Sequence, residues 1–492
     1  MDFAQALNTA GDSKIDYFRA GKMRSKSLKE MGGDVSRGVA LLADRGVKPG
    51  QRVGITGSNT YEMIAFDLAC LVAGVVTVYV SDVDGEQLDH ARSTYDLKLL
   101  ASSGKQSTIA DLSLECIWEY PVGPLKQVPF DEDDTFTFKF TSGSSGTPKA
   151  IEVRLKHLSE LIETAQALFE FGPQDTFLVQ LPYHIFLQRC YVYGALFSGY
   201  DIVAIPLTMA LTQLHKHPPT VIVAVPQIFR SIKEFAEVKA GPDATPDQLR
   251  QSMESIVGDR VRYLLSGSAA MSVSLLEWYR SLGYSIFEAY GMSEIGMIAM
   301  NYPGHCVFGS VGRPLPNKEV LLDEDGVVLV RSDYATNFRY FHPEDQLSNQ
   351  AYREDGFVYT GDIGRFDENG FLFLEGRSSS VLVLANGKKV QPEALESYFE
   401  NVAGVEHCIL IGQDKPYLTA IVTCQDVRND LQQELVCANE ALPDRDRLAR
   451  FTLTVTTLMA PNGGLTEGLK KDRRKILEIF RDEITDLYSA RV

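Results

Sequence analysis

The chain has 492 residues, 45% of them hydrophobic, and its 48 basic and 65 acidic side chains give a formal charge of −17. That length suits two or three domains around sizeable cores, and the composition excludes a disordered chain. So acidic a protein lacks the basic footprint of a generic nucleic-acid binder. The seven cysteines, at positions 70, 116, 190, 306, 408, 424 and 437, are an odd set without a CxxC pair. This usage suits a reducing cytoplasm rather than a disulfide framework or a zinc site. The opening MDFAQALNTAGDSKIDYF lacks the apolar run of a signal peptide.

In chain order, RVGITG reads as a strand, Tyr61 to Val72 as a helix and VVTVYV as another strand, the rhythm of an α/β sheet. The apolar stretch Met63 to Val80 contains Asp67 and Gly74 and turns β-branched midway, so it reads as a buried helix and strand, with no membrane span. TFTFKF, Thr135 to Phe140, alternates and runs into a glycine-rich loop. Further strands are expected at TVIVAVP, VRYLLSG and YSIFEAYG, with a helix over Gln227 to Val238. Near residues 365 to 380 the texture turns to RFDENG, FLFLEG and RSSS, followed by a VLVL strand, a turn over Ala385 to Gly387 and a helix from about Pro392. A boundary at Arg377 to Val381 divides residues 1–378 from 379–492. The expected fold is α/β, a large N-terminal domain of several subdomains with a small mobile α+β domain.

Four clusters carry chemistry. The first is Thr141-Ser142-Gly143-Ser144-Ser145-Gly146-Thr147-Pro148-Lys149. Its glycines let backbone amides approach an anion, its hydroxyls add donors, and Lys149 adds a charge; it is not a Walker A loop. Composition by itself would make it a linker, but a strand runs directly in and Pro-Lys closes it. The second is Glu288-Ala289-Tyr290-Gly291-Met292-Ser293-Glu294. Tyr290 offers a face for a base, Ser293 a hydroxyl for a phosphate and Glu294 a hard oxygen for Mg²⁺. The bland alternative is a strand-to-helix turn capped by Ser293. A nucleophile elbow does not fit, because GxSxG has one residue fewer.

The third cluster is Tyr359-Thr360-Gly361-Asp362 followed by Gly376-Arg377: a carboxylate for a ribose diol and a guanidinium for the sugar or a phosphate. The fourth is Leu465-Thr466-Glu467-Gly468-Leu469-Lys470, ahead of the basic KDRRK. A loop lysine there can neutralise charge developing between a carboxylate and a phosphate, though a solvated basic patch is the ordinary fate of such runs.

In order and separation these clusters resemble the adenylate-forming superfamily of acyl-CoA synthetases, adenylation domains and luciferases, over nearly the whole chain. PTVIVAVPQIFRSI and LLSGSAAMSVSLLEWYRSLGYSIFEAYGMSE look like long-chain acyl-CoA synthetases in particular, and NGKKVQPEALE resembles the opening of the small domain. The resemblance implies that Thr141 to Lys149 embrace the ATP phosphates and Tyr290 stacks on adenine. Ser293 would touch the α-phosphate, Glu294 would hold Mg²⁺, and Asp362 and Arg377 would bind the ribose. Lys470 would bridge carboxylate and α-phosphate. Gly387 would line the thiol route, and His184 together with Ser266, Gly267, Ser268, Ala269 and Ala270 would border the acyl pocket; a satisfied core histidine is the rival reading of His184. Ser293 stands where threonine is commoner, Ala150 where glycine is usual, Ser380 where the hinge has a charged residue, and Glu467-Gly468 where Pro-Thr is frequent. The implied activity is an ATP-dependent acid–thiol ligase acting on a fatty or other apolar acid, with CoA as acceptor. A carrier-protein phosphopantetheine is the nearest alternative and a non-catalytic nucleotide-binding protein an alternative of another class; nothing points to a light-emitting oxygenase.

Overall fold

A computed structural model describes residues 1–80, 85–104, 110–141, 149–206, 209, 213–342, 351–424, 426–427, 429–459, 463–465 and 471–489. Two sheets make the bulk of the large domain. In one, six strands run in the order Leu112–Ser113, Leu97–Ser103, Arg52–Gly57, Val76–Tyr79, Thr135–Thr141 and Lys149–Arg154. The other has nine, with Thr176–Val179, Val221–Ala224, Tyr263–Ser266 and Ile286–Met292 as adjacent parallel neighbours at its centre.

Alternation explains why these short runs are strands. Phe177, Val221, Leu265 and Phe287 face a core shared with Ile55, Phe66 and Phe136 of the other sheet. Their neighbours Leu178, Ile222, Leu264 and Ile286 face a second core under Phe229 and Tyr279. Both faces are covered, as parallel sheets require. Helix Tyr61–Val72 is buried at every position, so it is apolar all round rather than striped. Thr60 caps it by accepting from the Met63 amide. Among the described residues no helix is long and apolar enough to cross a membrane.

The expected strands and helices are present, with differences at the ends. The VLVL strand shrinks to Leu382–Val383, paired with Lys389–Val390, because Ser378–Ser380 forms a 3₁₀ turn and Gly387 sits in the intervening turn at φ +81°. The segment after Tyr290 is strand, turn and strand, with Ile286–Met292 pairing antiparallel to Gly296–Met300. The strand-to-helix alternative for Ser293 is thereby corrected: Gly296 at φ +81° turns the chain back, and a Cβ there would come within 2.2 Å of the His157 ring.

Residues from Leu382 onward build their own apolar clusters, around Phe399, Leu410 and Leu435 and around Ile421, Ile476 and Phe480. Within them Lys471 reaches Glu396 at 2.8 Å, Glu400 at 2.9 Å and the Cys408 carbonyl at 3.0 Å. Burial opposes its charge, but Glu400 and Glu396 hold its pKa above the usual lysine value. This fastens the chain immediately after residue 470. The two parts of the molecule touch where Arg230 donates to the Glu406 carbonyl, Ser274 to Asn401 and Gln391 to the Arg377 carbonyl.

Between the two large sheets lies a buried ion pair. Arg189 contacts Asp67 at 2.7 Å with side-chain exposures of 2% and 0%. It also donates to Thr137 and Thr77, and Tyr193 donates to Asp67. Asp67→Ala strands a buried guanidinium and is expected to cost about 3–5 kcal/mol of unfolding free energy. Asp67→Leu combined with Arg189→Met is expected to lose clearly less. Urea unfolding of the two variants decides; equal losses would show that pairing is not what matters there.

Candidate active site

Strands Tyr263–Ser266 and Ile286–Met292 run parallel side by side, so their C-terminal ends open on one edge of their sheet, where α/β sheets usually bind ligands. The end of strand Ile286–Met292 and the turn after it carry two anchoring side chains four residues apart, Tyr290 and Glu294.

Tyr290 anchors the first group. Its ring is only 7% exposed, packed with Ile295, Ala299, Val311 and Val328, and its hydroxyl donates to Asp362 at 2.7 Å. Asp362 and Arg377 are directly opposite across antiparallel strands Val358–Phe366 and Leu372–Arg377, which brings the guanidinium 3.0 Å from the carboxylate. Arg377 is largely exposed, whereas Asp362 is nearly buried. The structure therefore brings Tyr290 onto the Asp362–Arg377 pair, which the sequence had grouped as one cluster without a link to Tyr290. Burial, then the Asp362 charge, pushes the Tyr290 hydroxyl well above its ordinary pKa, so it stays a donor.

Glu294 anchors the second group. It is 6% exposed and accepts from the Tyr340 hydroxyl at 2.6 Å. The same tyrosine ring carries the Lys149 ammonium, 5.2 Å from its centroid. Tyr340 is fully buried and packs edge-on against Tyr352. Thus one tyrosine joins the lysine closing the glycine-rich loop to the glutamate of the second cluster. Tyr340 was missed in the sequence; its signal was the aromatic run Phe338-Arg-Tyr-Phe-His342 inside a loop. A buried carboxylate with one oxygen engaged by a hydroxyl suits Mg²⁺, which takes one or two protein carboxylates and completes its shell with phosphate and water. Glu294 fits that ion.

Beside these groups, Glu288 accepts from the Met271 amide at 3.0 Å, and burial raises its pKa to about 7. Ser266 is its register partner on the adjacent strand, with a buried Oγ that finds no hydrogen-bond partner among the described residues. Gly267 lies next to the Ala289 carbonyl, and Ser268, at φ +74°, turns outward with Ala269 and Ala270. Ser293 is partly buried in the turn between Met292 and Glu294. His184 is exposed on the turn before helix Phe186–Ser198, which corrects the core-histidine reading. Gly387 is exposed at its left-handed turn, with open space for 4 Å around the point where a Cβ would stand. Ser142, Gly143, Ser144, Ser145, Gly146, Thr147 and Lys470 lie outside the described residues.

Comparison with known proteins bears on the family and the fold. A family described as AMP-binding enzyme matches residues 4–333, and the AMP-binding enzyme C-terminal domain matches residues 379–492. The long-chain-fatty-acid–CoA ligase FadD15 of Mycobacterium bovis is 25% identical, over 92% of this chain and 90% of its own. The malonate–CoA ligase of Arabidopsis thaliana is also 25% identical, over 87% and 78%. The o-succinylbenzoate coenzyme A synthetase MenE of Bacillus subtilis, solved with ATP and a magnesium ion, superposes with a TM-score of 0.75 at 20% identity, over 92% and 95% of the two chains. With its two matched domains and this fold, the chain belongs to the AMP-binding enzyme family.

Proposed function

We propose that this protein is an acid–CoA ligase working in two half-reactions. A carboxylate oxygen attacks the α-phosphorus of ATP, the bond to pyrophosphate breaks, and acyl-AMP forms. The sulfur of CoA then attacks the acyl carbonyl, its proton leaves to solvent, and AMP departs. The observation that carries this reading is the placing of Tyr290–Asp362–Arg377 and Lys149–Tyr340–Glu294 side by side, at a strand end and the turn after it. One group suits a nucleoside, the other a polyphosphate.

No protein nucleophile is required, since a carboxylate is already nucleophilic and positioning supplies much of the help. Asp362 and Arg377 are assigned to the ribose, Tyr290 to the base and Ser293 to the α-phosphate. Lys149 and the loop Thr141 to Thr147 are assigned to the β- and γ-phosphates. Bound at Glu294, Mg²⁺ would supply neutralising charge to the phosphates. Lys470 is assigned to the carboxylate and α-phosphate in adenylation, Gly387 to the thiol route, and His184 with Ser266 to Ala270 to the acyl pocket. We assign residues 1–378 to the large domain and 379–492 to a small domain that rotates between half-reactions about the turn containing Ser380. CoA is preferred to a carrier protein because the relatives matched are CoA ligases. Their acids differ, and a fatty or otherwise apolar acid follows the long-chain relative.

Incubation with ATP, Mg²⁺ and a panel of carboxylic acids, with and without CoA, followed by mass spectrometry, tests the reading. Acyl-AMP that converts to acyl-CoA is expected; acyl-AMP that persists with CoA but is discharged by a carrier protein would overturn the choice of acceptor, and no adenylate from any acid would overturn the activity.

Lys470→Ala is expected to slow adenylation on the order of a hundredfold, about 3 kcal/mol of barrier, with the unfolding midpoint unchanged; near-normal acyl-AMP formation would reject its assignment. Tyr340→Phe keeps the ring under Lys149 and removes the donor to Glu294. It is expected to raise the Mg²⁺ concentration needed for half-maximal rate while ATP affinity at saturating Mg²⁺ stays within about twofold, one hydrogen bond to a charged group being worth about 1.5–3 kcal/mol. A magnesium titration measures it, and an unchanged curve would show that Tyr340 does not orient Glu294.

A further inference from the structure

The strand that enters the glycine-rich loop reads TFTFKFT, and Lys139 is the one ionisable residue in it. From Thr137 to Thr141 its register with Lys149–Arg154 is regular. Alternation therefore puts Lys139 on the same face as Thr137 and Thr141, the face on which Thr137 meets Arg189 of helix Phe186–Ser198. There the ammonium lies 5.1 Å from the centroid of the Phe186 ring. The titratable groups around it come from three elements: Cys190 on that helix, Glu294 on the turn and His157 on helix Leu155–Phe169. His157 is buried and kept neutral, its pKa lowered by burial and then by Lys139 itself. Among the described residues no carboxylate stands within ion-pair distance of Lys139 and no hydrogen bond holds its ammonium. A partly buried cation left without a partner in this way is short of an anion.

We propose that Lys139 receives the carboxylate of the acid substrate, holding it at the inner end of the acyl pocket for attack on the α-phosphorus. The inference rests on the acid–CoA ligase reading above. Position favours the acid over the nucleotide. The loop that closes with Lys149 begins beyond the strand's end, whereas Lys139 is set back from Thr141 by two residues, about 7 Å along the strand. Its ammonium lies over the Phe186 ring, an apolar surface that suits the chain of the acid, while Glu294 marks the phosphate side of the same ammonium. Lys139 acts here by binding and orientation, with no covalent step of its own.

Burial lowers the Lys139 pKa to about 8, with Cys190 and Glu294 opposing the shift. A carboxylate placed beside the ammonium favours the charged form and raises that value again, so acid binding and protonation are linked. The charged form that binds acid is present below about pH 8 and is lost as pH rises through it. The acid KM of the wild type is therefore flat at low pH and climbs about tenfold per unit above pH 8.

The test uses the full-length protein and the acid that the wild type adenylates in the panel, with pyrophosphate release followed from pH 7 to 9.5. In K139M the acid KM is expected to be at least tenfold higher and independent of pH, with the ATP KM within threefold of wild type. K139R, which keeps its charge throughout, is expected to restore a low acid KM without the alkaline rise. An ATP KM that shifts in place of the acid KM would overturn the inference and assign Lys139 to the phosphates. An unchanged acid KM in K139M would overturn it outright. Should K139M not fold, as its unfolding midpoint reveals, a wild-type acid KM that stays flat through pH 8 is sufficient to reject the role. Adenylation by the wild type in the same assay keeps the ligase reading separate from the fate of Lys139.

Discussion

The buried pair of Asp67 and Arg189 is the constraint on which the large domain depends. Asp67 belongs to a helix beside one sheet and Arg189 to the helix that connects two strands of the other. Neither charge tolerates the interior alone, because a bare ion there loses several kcal/mol of hydration. Thr77, Thr137 and Tyr193 complete the satisfaction of the guanidinium and the carboxylate. Since Thr137 lies in the strand that feeds the glycine-rich loop, the same network anchors that strand in the core. Stability and site geometry are thus set by one cluster.

Around that frame the site is built on economy of groups. Five residues, from Tyr290 at the end of a strand to Glu294 in the turn that follows, supply the anchors of both side-chain groups. The turn needs Gly296 at positive φ, with His157 filling the space a side chain would occupy. Tyr340 then serves two partners, donating to Glu294 and stacking under Lys149. The arrangement holds a positive and a negative side chain on one tyrosine.

The small domain shows the same logic at its own scale. Glu396 binds Lys471 and Arg473 together, tying the C-terminal stretch to helix Pro392–Glu400 and to the strand Val405–Ile411, whose backbone both cations also touch. Contacts between this domain and the rest are polar and peripheral by comparison, at Arg230, Ser274 and Gln391. A unit that is firm within itself and lightly attached is suited to move as a body.

By itself, the sequence determined the strand and helix pattern, since strand Thr135–Thr141 follows from alternation and helix Tyr61–Val72 from the switch to β-branched residues after Gly74. It also determined the chemical alphabet of the site, because Lys149, Tyr290, Glu294, Asp362 and Arg377 sit in short motifs with recognisable side-chain types. Only the tertiary structure decided how those residues meet. Asp362 pairs with Arg377 through cross-strand register, and Tyr340 joins Lys149 to Glu294 across nearly two hundred residues of chain. Likewise, it is the tertiary structure that sets Lys139 against the Phe186 ring without an acidic partner and leaves His184 exposed. The reason is physical: periodicity and turn chemistry act between neighbours in the chain, whereas burial, register and electrostatic environment are properties of neighbours in space.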